Sequence, residues 1–153
     1  MKDLSEIIAS HPFFSGLDSN YVDLITGCAR NVKFSAGDVI AREGQPSTEF
    51  YVLRHGRVAV EINAPARAPL VLRTASEGEV VGWSWIFPPH RWQFDISAVT
   101  LVRALAFDGK CLRAKCDADP KLGYDMMRRF AQVAASQLQA TRLQLLDLYG
   151  GRG

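Results

Sequence analysis

The chain has 153 residues, 48% of them apolar and 22% charged, with a formal net charge of +2. These numbers describe one globular domain, able to bury about 70% of its unfolded surface without covalent staples. A charge so near neutral excludes whole-protein attraction to nucleic acid or to an anionic membrane, and no stretch approaches about 18 uninterrupted apolar residues, so no membrane span is expected.

Residues 3–9 are predicted to form a short helix with Leu4, Ile7 and Ile8 on one side. The acidic Asp3 and Glu6, and the lack of a long apolar core, exclude a signal peptide. Phe13, Phe14 and Leu17 make an apolar plug. Asp18 or Ser19 then caps a second helix over about 20–29, with Val22, Leu24, Ile25 and Cys28 as its apolar positions. From Val32 the period changes to two. Val32/Phe34, Val39/Ile40, Phe50/Val52, Val58/Val60/Ile62, Leu70/Leu72, Phe94/Ile96/Ala98 and Val102/Leu105/Phe107 read as short strands. Turn residues punctuate them, which predicts an all-β barrel or jelly roll. Asn63 to Pro69, with two prolines and small residues, reads as a mobile hairpin loop.

Asp108 caps a short helix over Cys111–Cys116. Asp117 or Asp119, with Pro120, starts a long amphipathic helix running to about Tyr149 and stopped by Gly150-Gly151. The expected organisation is a helical segment over 1–30, a β-roll over 31–107 and C-terminal helices over 108–149, with no second globular domain following. Cys28, Cys111 and Cys116 are an odd count without a CxxC pair, and they predict reduced thiols in a cytoplasm.

The punctuation carries a resemblance. The run "SAGDVIAREGQPSTEFYVLRHGRVAVEI" places Gly37, Glu43-Gly44 and Gly56, and "EGEVVGW" places Gly78 and Gly82. Over roughly residues 10–145 this is similar to the cyclic-nucleotide-binding domain of the catabolite-activator type. The resemblance implies an eight-stranded double-stranded β-helix (a jelly roll) with N-terminal helices, a short helix and a long C-terminal helix. It also implies a phosphate-binding cassette beginning at Gly82. In that family a glutamate after the cassette glycine holds the ribose hydroxyl, and an arginine about ten residues on pairs with the cyclic phosphate. Here Trp83 stands in the glutamate's place. The arginine's position falls near Trp92, with Arg91 one residue away, and Gln93 and Phe94 replace the small residues that follow.

The segment Gly82–Phe94 holds all three tryptophans, and the candidate ligand-binding residues are Gly82, Trp83, Ser84, Trp85, Arg91 and Trp92. A short helical turn is expected over Trp83–Phe87, ended by Pro88-Pro89. Three readings stay open. The helix N-terminus, with His90 and Arg91, holds an anion such as a cyclic nucleotide. The aromatics fill the old pocket as core, each burying on the order of 150–250 Å². Or they line a site for a different flat or apolar ligand.

Other chemistries have thinner support. Haem would draw on His11, His55 or His90, which read as solvated or helix-capping, and three scattered cysteines are too few for an iron–sulfur cluster. No HxH pair suggests a metal enzyme, and no GxSxG elbow a nucleophile. Cys111 and Cys116 read as small buried hydrophobes. Leu138, Thr141, Leu145 and Leu148 make a seam for a homodimer; the other reading folds the long helix back over its own barrel. Arg128, Arg129 and Arg142 read as a solvated face, so direct DNA binding is not expected. The sequence thus predicts a non-enzymatic, cytoplasmic regulatory or sensor domain with lost or altered cyclic nucleotide binding. The alternative is a ligand-free module that binds a protein partner.

Overall fold

The computed structural model describes residues 3–63 and 68–150, so the core of the expected 63–69 loop lies outside the described residues. Leu4–Ser10 form α1, capped by the Asp3 carboxylate, which accepts from the Glu6 N–H. A 3₁₀ turn follows at Pro12–Phe14, then α2 at Ser19–Thr26, where Asp18 is the cap. This helix stops three residues short of the expected end. Cys28 N–H bonds back to Ile25 O, and Ala29 is already paired as a strand.

Eight strands follow: β1 (Ala29–Phe34), β2 (Val39–Ala41), β3 (Glu49–His55), β4 (Val58–Ile62), β5 (Leu70–Ala75), β6 (Val80–Val81), β7 (Asp95–Ala98) and β8 (Val102–Asp108). They form two four-stranded antiparallel sheets, ordered β1-β8-β3-β6 and β2-β7-β4-β5. This is the jelly roll. The two-residue β6 is too short to show alternation, which explains why periodicity alone missed it. The β3–β4 turn needs Gly56, at φ +89°, because a Cβ there would stand 2.0 Å from the Leu101 carbonyl oxygen.

Asp108 caps α3 (Gly109–Ala118) through the Cys111 N–H. Asp119 then accepts from Lys121 N and Leu122 N at the head of α4 (Pro120–Gly150). Leu122, Met126 and Phe130 are wholly buried on one face of α4. Farther on, polar side chains take over that face. Gln144 Nε2 donates to Leu72 O at 3.0 Å and so covers β5, an edge strand.

The strands separate two cores. The helix-side core gathers Phe14, Phe50, Trp85, Phe107, Leu112 and Phe130 beneath the helices. The barrel interior is lined by Ala41, Ala75, Ala98, Ala104 and Ala106 among Val and Ile, with Trp92 as its largest side chain. The expectation of three reduced thiols is corrected. Cys28 and Cys111 are joined in a disulfide across a sequence separation of 83, tying the end of α2 to α3. Neither spacing nor count could signal this, because the partners meet only once β1 pairs with β8, which sets Ala29 opposite Phe107 and gives Asp108 N–H to Cys28 O at 2.9 Å. Cys116 is the free thiol, and burial pushes its pKa up to about 11. No helix among the described residues is long and apolar enough to cross a membrane.

Candidate functional site

Gly82 ends β6 with φ +96°, in the left-handed region open to glycine. A Cβ there would lie 2.7 Å from Cη2 and 3.1 Å from Cζ3 of Trp92, so the Trp92 indole rests directly against the glycine backbone. Trp92 also stacks on Tyr51, with centroids 6.3 Å apart and 16° between planes, and is 8% exposed. Phe94 packs beside it against the barrel core. The space remaining between Gly82, Trp83, Ser84, Trp92, Phe94 and Gln137 is about 10 Å³. That is about the room of one water molecule.

The helical turn expected over Trp83–Phe87 does not form; the segment is a series of turns. Ile86 N–H bonds to Trp83 O at 3.5 Å and Phe87 N–H to Ser84 O at 3.3 Å, and these i to i+3 turns are not continued. In a helix the carbonyls of Ser84 and Trp85 would accept from the N–H groups of residues 88 and 89, and both are prolines with no N–H to give. Side chains serve Trp85 O, while Ser84 O takes the Phe87 N–H and also lies near the His90 ring. His90 Nδ1 lies 3.0 Å from Trp85 O and 3.3 Å from Ser84 O, and Arg113 donates to Trp85 O. Without a helix there is no helix N-terminus here to offer an anion.

Two anchors hold the segment. Trp85 is wholly buried in the helix-side core, stacked on Phe50 at 5.0 Å and met edge-on by Phe130 at 5.1 Å. Trp92, seven residues on, enters the barrel interior. Between and beyond them the backbone zips onto the loop before β3. Ser47 N–H donates to His90 O at 2.7 Å, Gly44 N–H to Trp92 O at 2.8 Å, and Trp92 N–H to Gln45 O at 2.9 Å. Arg91, in an isolated bridge to Pro46, is exposed and donates from Nη1 to Gly44 O at 2.8 Å.

The structure therefore brings Gly82, Trp83, Ser84 and Trp92 together around the residual pocket. Trp85 lies in the other core, and Arg91 lies on the outside of the loop. Two residues that sequence reasoning passed over complete the pocket wall. Gln137 on α4 accepts from Trp83 Nε1 at 2.7 Å, and Arg73 on β5 lines the same space. Gln137 had a signal: it sits four residues after Val133 on the packed face of α4, where an apolar residue would be the norm.

The histidines lie far apart in role. His11 is buried; its Nε2 reaches Leu53 O at 3.0 Å and its Nδ1 accepts from Phe13 N–H at 3.1 Å. Burial holds its pKa below the usual histidine value, an effect opposed by the Leu53 bond. His55 is exposed at the end of β3. Among the described residues no group of His, Cys, Asp and Glu is arranged to hold a metal ion.

Comparison with known proteins follows this geometry. The family model for the cyclic nucleotide-binding domain matches residues 31–119. A CRP-like cAMP-activated global transcriptional regulator of Mycobacterium tuberculosis is 26% identical over 145 residues, covering 95% of this chain and 63% of the regulator. The chain thus spans under two thirds of that relative's length. A crystal structure from Geobacter metallireducens, described as a putative cyclic nucleotide-binding protein, superposes with a TM-score of 0.75 at 21% identity, covering 90% of this chain and 99% of the other. The regulatory subunit of a cAMP-independent protein kinase A from Trypanosoma brucei gives a TM-score of 0.68 at 21% identity, covering 83% of this chain and 45% of the other.

Proposed function

The chain belongs to the cyclic nucleotide-binding domain family, and from that premise we propose that it is a non-enzymatic regulatory domain whose cassette pocket is closed to cyclic nucleotides. The observation that carries the reading is the residual volume of about 10 Å³ where Trp92 lies against Gly82. Small-molecule pockets run from about 300 to 1,000 Å³, so a nucleotide would first have to expel the indole. The family's recognition groups are also absent from the positions where the resemblance expects them. Trp83 offers a single indole N–H, already given to Gln137, where a ribose hydroxyl needs a carboxylate acceptor. The nearest arginine in sequence, Arg91, donates outward to Gly44.

In this reading the cassette speaks to α4 through the Trp83–Gln137 bond without a nucleotide between them. The outer face of α4 carries Tyr124, Leu138 and Leu145, which are 69%, 72% and 52% exposed. A second copy of the chain meeting along this face makes the homodimer, with another protein as the alternative partner. The cytoplasm is the proposed location, by analogy with the relative that regulates transcription, and direct DNA contact is not part of the proposal.

Calorimetric titration with cyclic AMP and cyclic GMP checks the closed pocket. The expected result is no heat beyond dilution, and a saturable isotherm at micromolar ligand would overturn the reading. The same sample should sediment at twice the chain mass; a monomer would remove the homodimer from it.

A further inference from the structure

The sheet β1-β8-β3-β6 turns one face toward the helices, and Leu105 and Phe107 of β8 lie in the core there. Arg103 precedes Leu105 by two residues, so it projects from the same face, and it is exposed. Lys33 on β1 stands directly opposite Arg103 and is also exposed. On the other flank a bulge in β3 sets Arg54 and His55 against Arg103. Arg54 Nη1 donates to Asn31 Oδ1 at 3.2 Å, and Asn31 shares the Lys33 face of β1. The Arg54 guanidinium is thus drawn across β8 toward β1. Cations from three adjacent strands gather over two strand spacings, about 10 Å.

Like charges set directly opposite each other destabilise a sheet. Charged side chains do guard edge strands, which accounts for Lys33 on β1 but not for Arg103 on β8, a strand paired on both sides. The chain supplies no counter-charge. Among the described residues the ion pairs are Arg30–Glu49, Arg73–Glu79 and Arg129–Asp125. Arg30 is three residues from Lys33 on the same strand, so one cation of β1 is matched and the other is not. Glu77 borders a cavity with Arg54, but it lies in the turn leading to β6, beyond β3, whereas the Arg54 head is drawn the opposite way. A bulge that aims a third cation at an unmatched pair is a feature of a binding surface, since bulges re-aim side chains at such places.

The chemistry of the surface selects the partner. Arginine forks match carboxylates in two-point pairs, and lysine adds a compact charge. The exposed tyrosines, Tyr124 and Tyr149, are on α4, so nucleic acid bases would find no such ring to stack on here. We infer that this face docks an extended acidic segment of a partner protein, its carboxylates held by Lys33, Arg54 and Arg103. Alternate side chains of an extended segment stand about 7 Å apart on one side, so two of them span the cluster. The surface lies on β1, β8 and β3, away from the cassette and from the exposed face of α4. It therefore depends neither on the closed pocket nor on the homodimer.

The probe is a fluorescein-labelled oligoglutamate followed by anisotropy, in about 20 mM and then about 150 mM sodium chloride. The expected result is a saturable rise at low salt that weakens as salt is added. Binding should weaken at least about tenfold in the double variant Lys33→Glu, Arg103→Glu. Lys121→Glu, an exposed charge reversal on α4, should leave it within about twofold. Lys33→Glu alone turns the like pair with Arg103 into an opposite pair, so it should bind less and melt no lower than the native chain. No saturable binding at low salt overturns the inference, as does a loss in Lys121→Glu equal to that in the double variant. A lowered melting temperature in Lys33→Glu would show Lys33 satisfied within the chain and overturn it too. So would tighter binding of a labelled oligouridylate of equal charge, which would assign the surface to nucleic acid. None of these failures bears on the cyclic nucleotide titration.

Discussion

The two cores on either side of the first sheet are built from different materials. The helix-side core is built around stacked aromatics, with Ile8, Ile25, Leu105, Leu112, Leu122 and Met126 packed about them: Phe50 lies parallel to Phe107 at 4.8 Å, stacks on Trp85 and meets Phe130 edge-on at 4.9 Å. The barrel interior is lined by alanine and valine with Tyr51, Leu53 and Ile96, and Trp92 is its largest side chain. On the barrel side the largest side chain comes from a loop, with Phe94 packed beside it. A jelly roll lined with small residues is a container, and here the protein supplies its own content. In the proposed reading, closure of the site rests largely on Trp92 against Gly82, whereas the helix side is held by many side chains.

That contrast is sharpest in paired truncations. Trp85→Ala removes an indole surrounded by helix and sheet and should cost about 3–5 kcal/mol in urea denaturation. Trp92→Ala should cost toward the bottom of that range, about 3 kcal/mol, because the barrel walls are held by strand pairing and stay apart without it. If Trp92→Ala proves the more damaging of the two, the barrel is no container and the comparison fails.

The disulfide belongs to the helix side alone, so removing it should loosen that core and spare the barrel. Replacing both Cys28 and Cys111 with alanine should cost about 2–4 kcal/mol. In the native chain, denatured without reductant, thiol titration should find Cys116 as the one free thiol. Three thiols before reduction would show that the bond does not form and would restore the reduced state expected from the cysteine count.

His11 gives the smallest effect, again on the helix side. Its folded pKa lies below the ordinary histidine value of 6.5 because burial disfavours the charged ring. Between that folded value and 6.5 the unfolded chain binds more protons. Its contribution to stability is thus whole above 6.5 and is lost as pH falls through the folded pKa. Protonation also ends acceptance of the Phe13 N–H by Nδ1. Melting temperature should fall on acidification from about pH 7 to about pH 5, and His11→Gln should flatten that slope. An equal slope in the variant would assign the effect elsewhere.

Much of the fold was legible because its signals are local. Asp18, Asp108 and Asp119, each among the caps the sequence offered, head α2, α3 and α4, and glycines at tight turns separate alternating strands. The candidate site was legible in outline: the tryptophan-rich segment sits where the cassette was expected, and Gly82, Trp83, Ser84 and Trp92 converge there. What failed was the conformation between them. A short helical turn was expected over Trp83–Phe87, ended by Pro88-Pro89; the chain makes i to i+3 turn bonds there instead, and Trp85 O is served by side chains.

The sequence by itself determined where the chain turns, which residues cap its helices and that a large aromatic load falls between Gly82 and Phe94. Those follow from short-range backbone sterics and from side-chain identity. Only the tertiary structure decided that Trp85 and Trp92 serve opposite cores, that Trp83 gives its N–H to Gln137 across 54 positions, and that Cys28 meets Cys111 across 83. Each of these depends on what stands opposite a side chain once the sheets have closed, which no local pattern encodes.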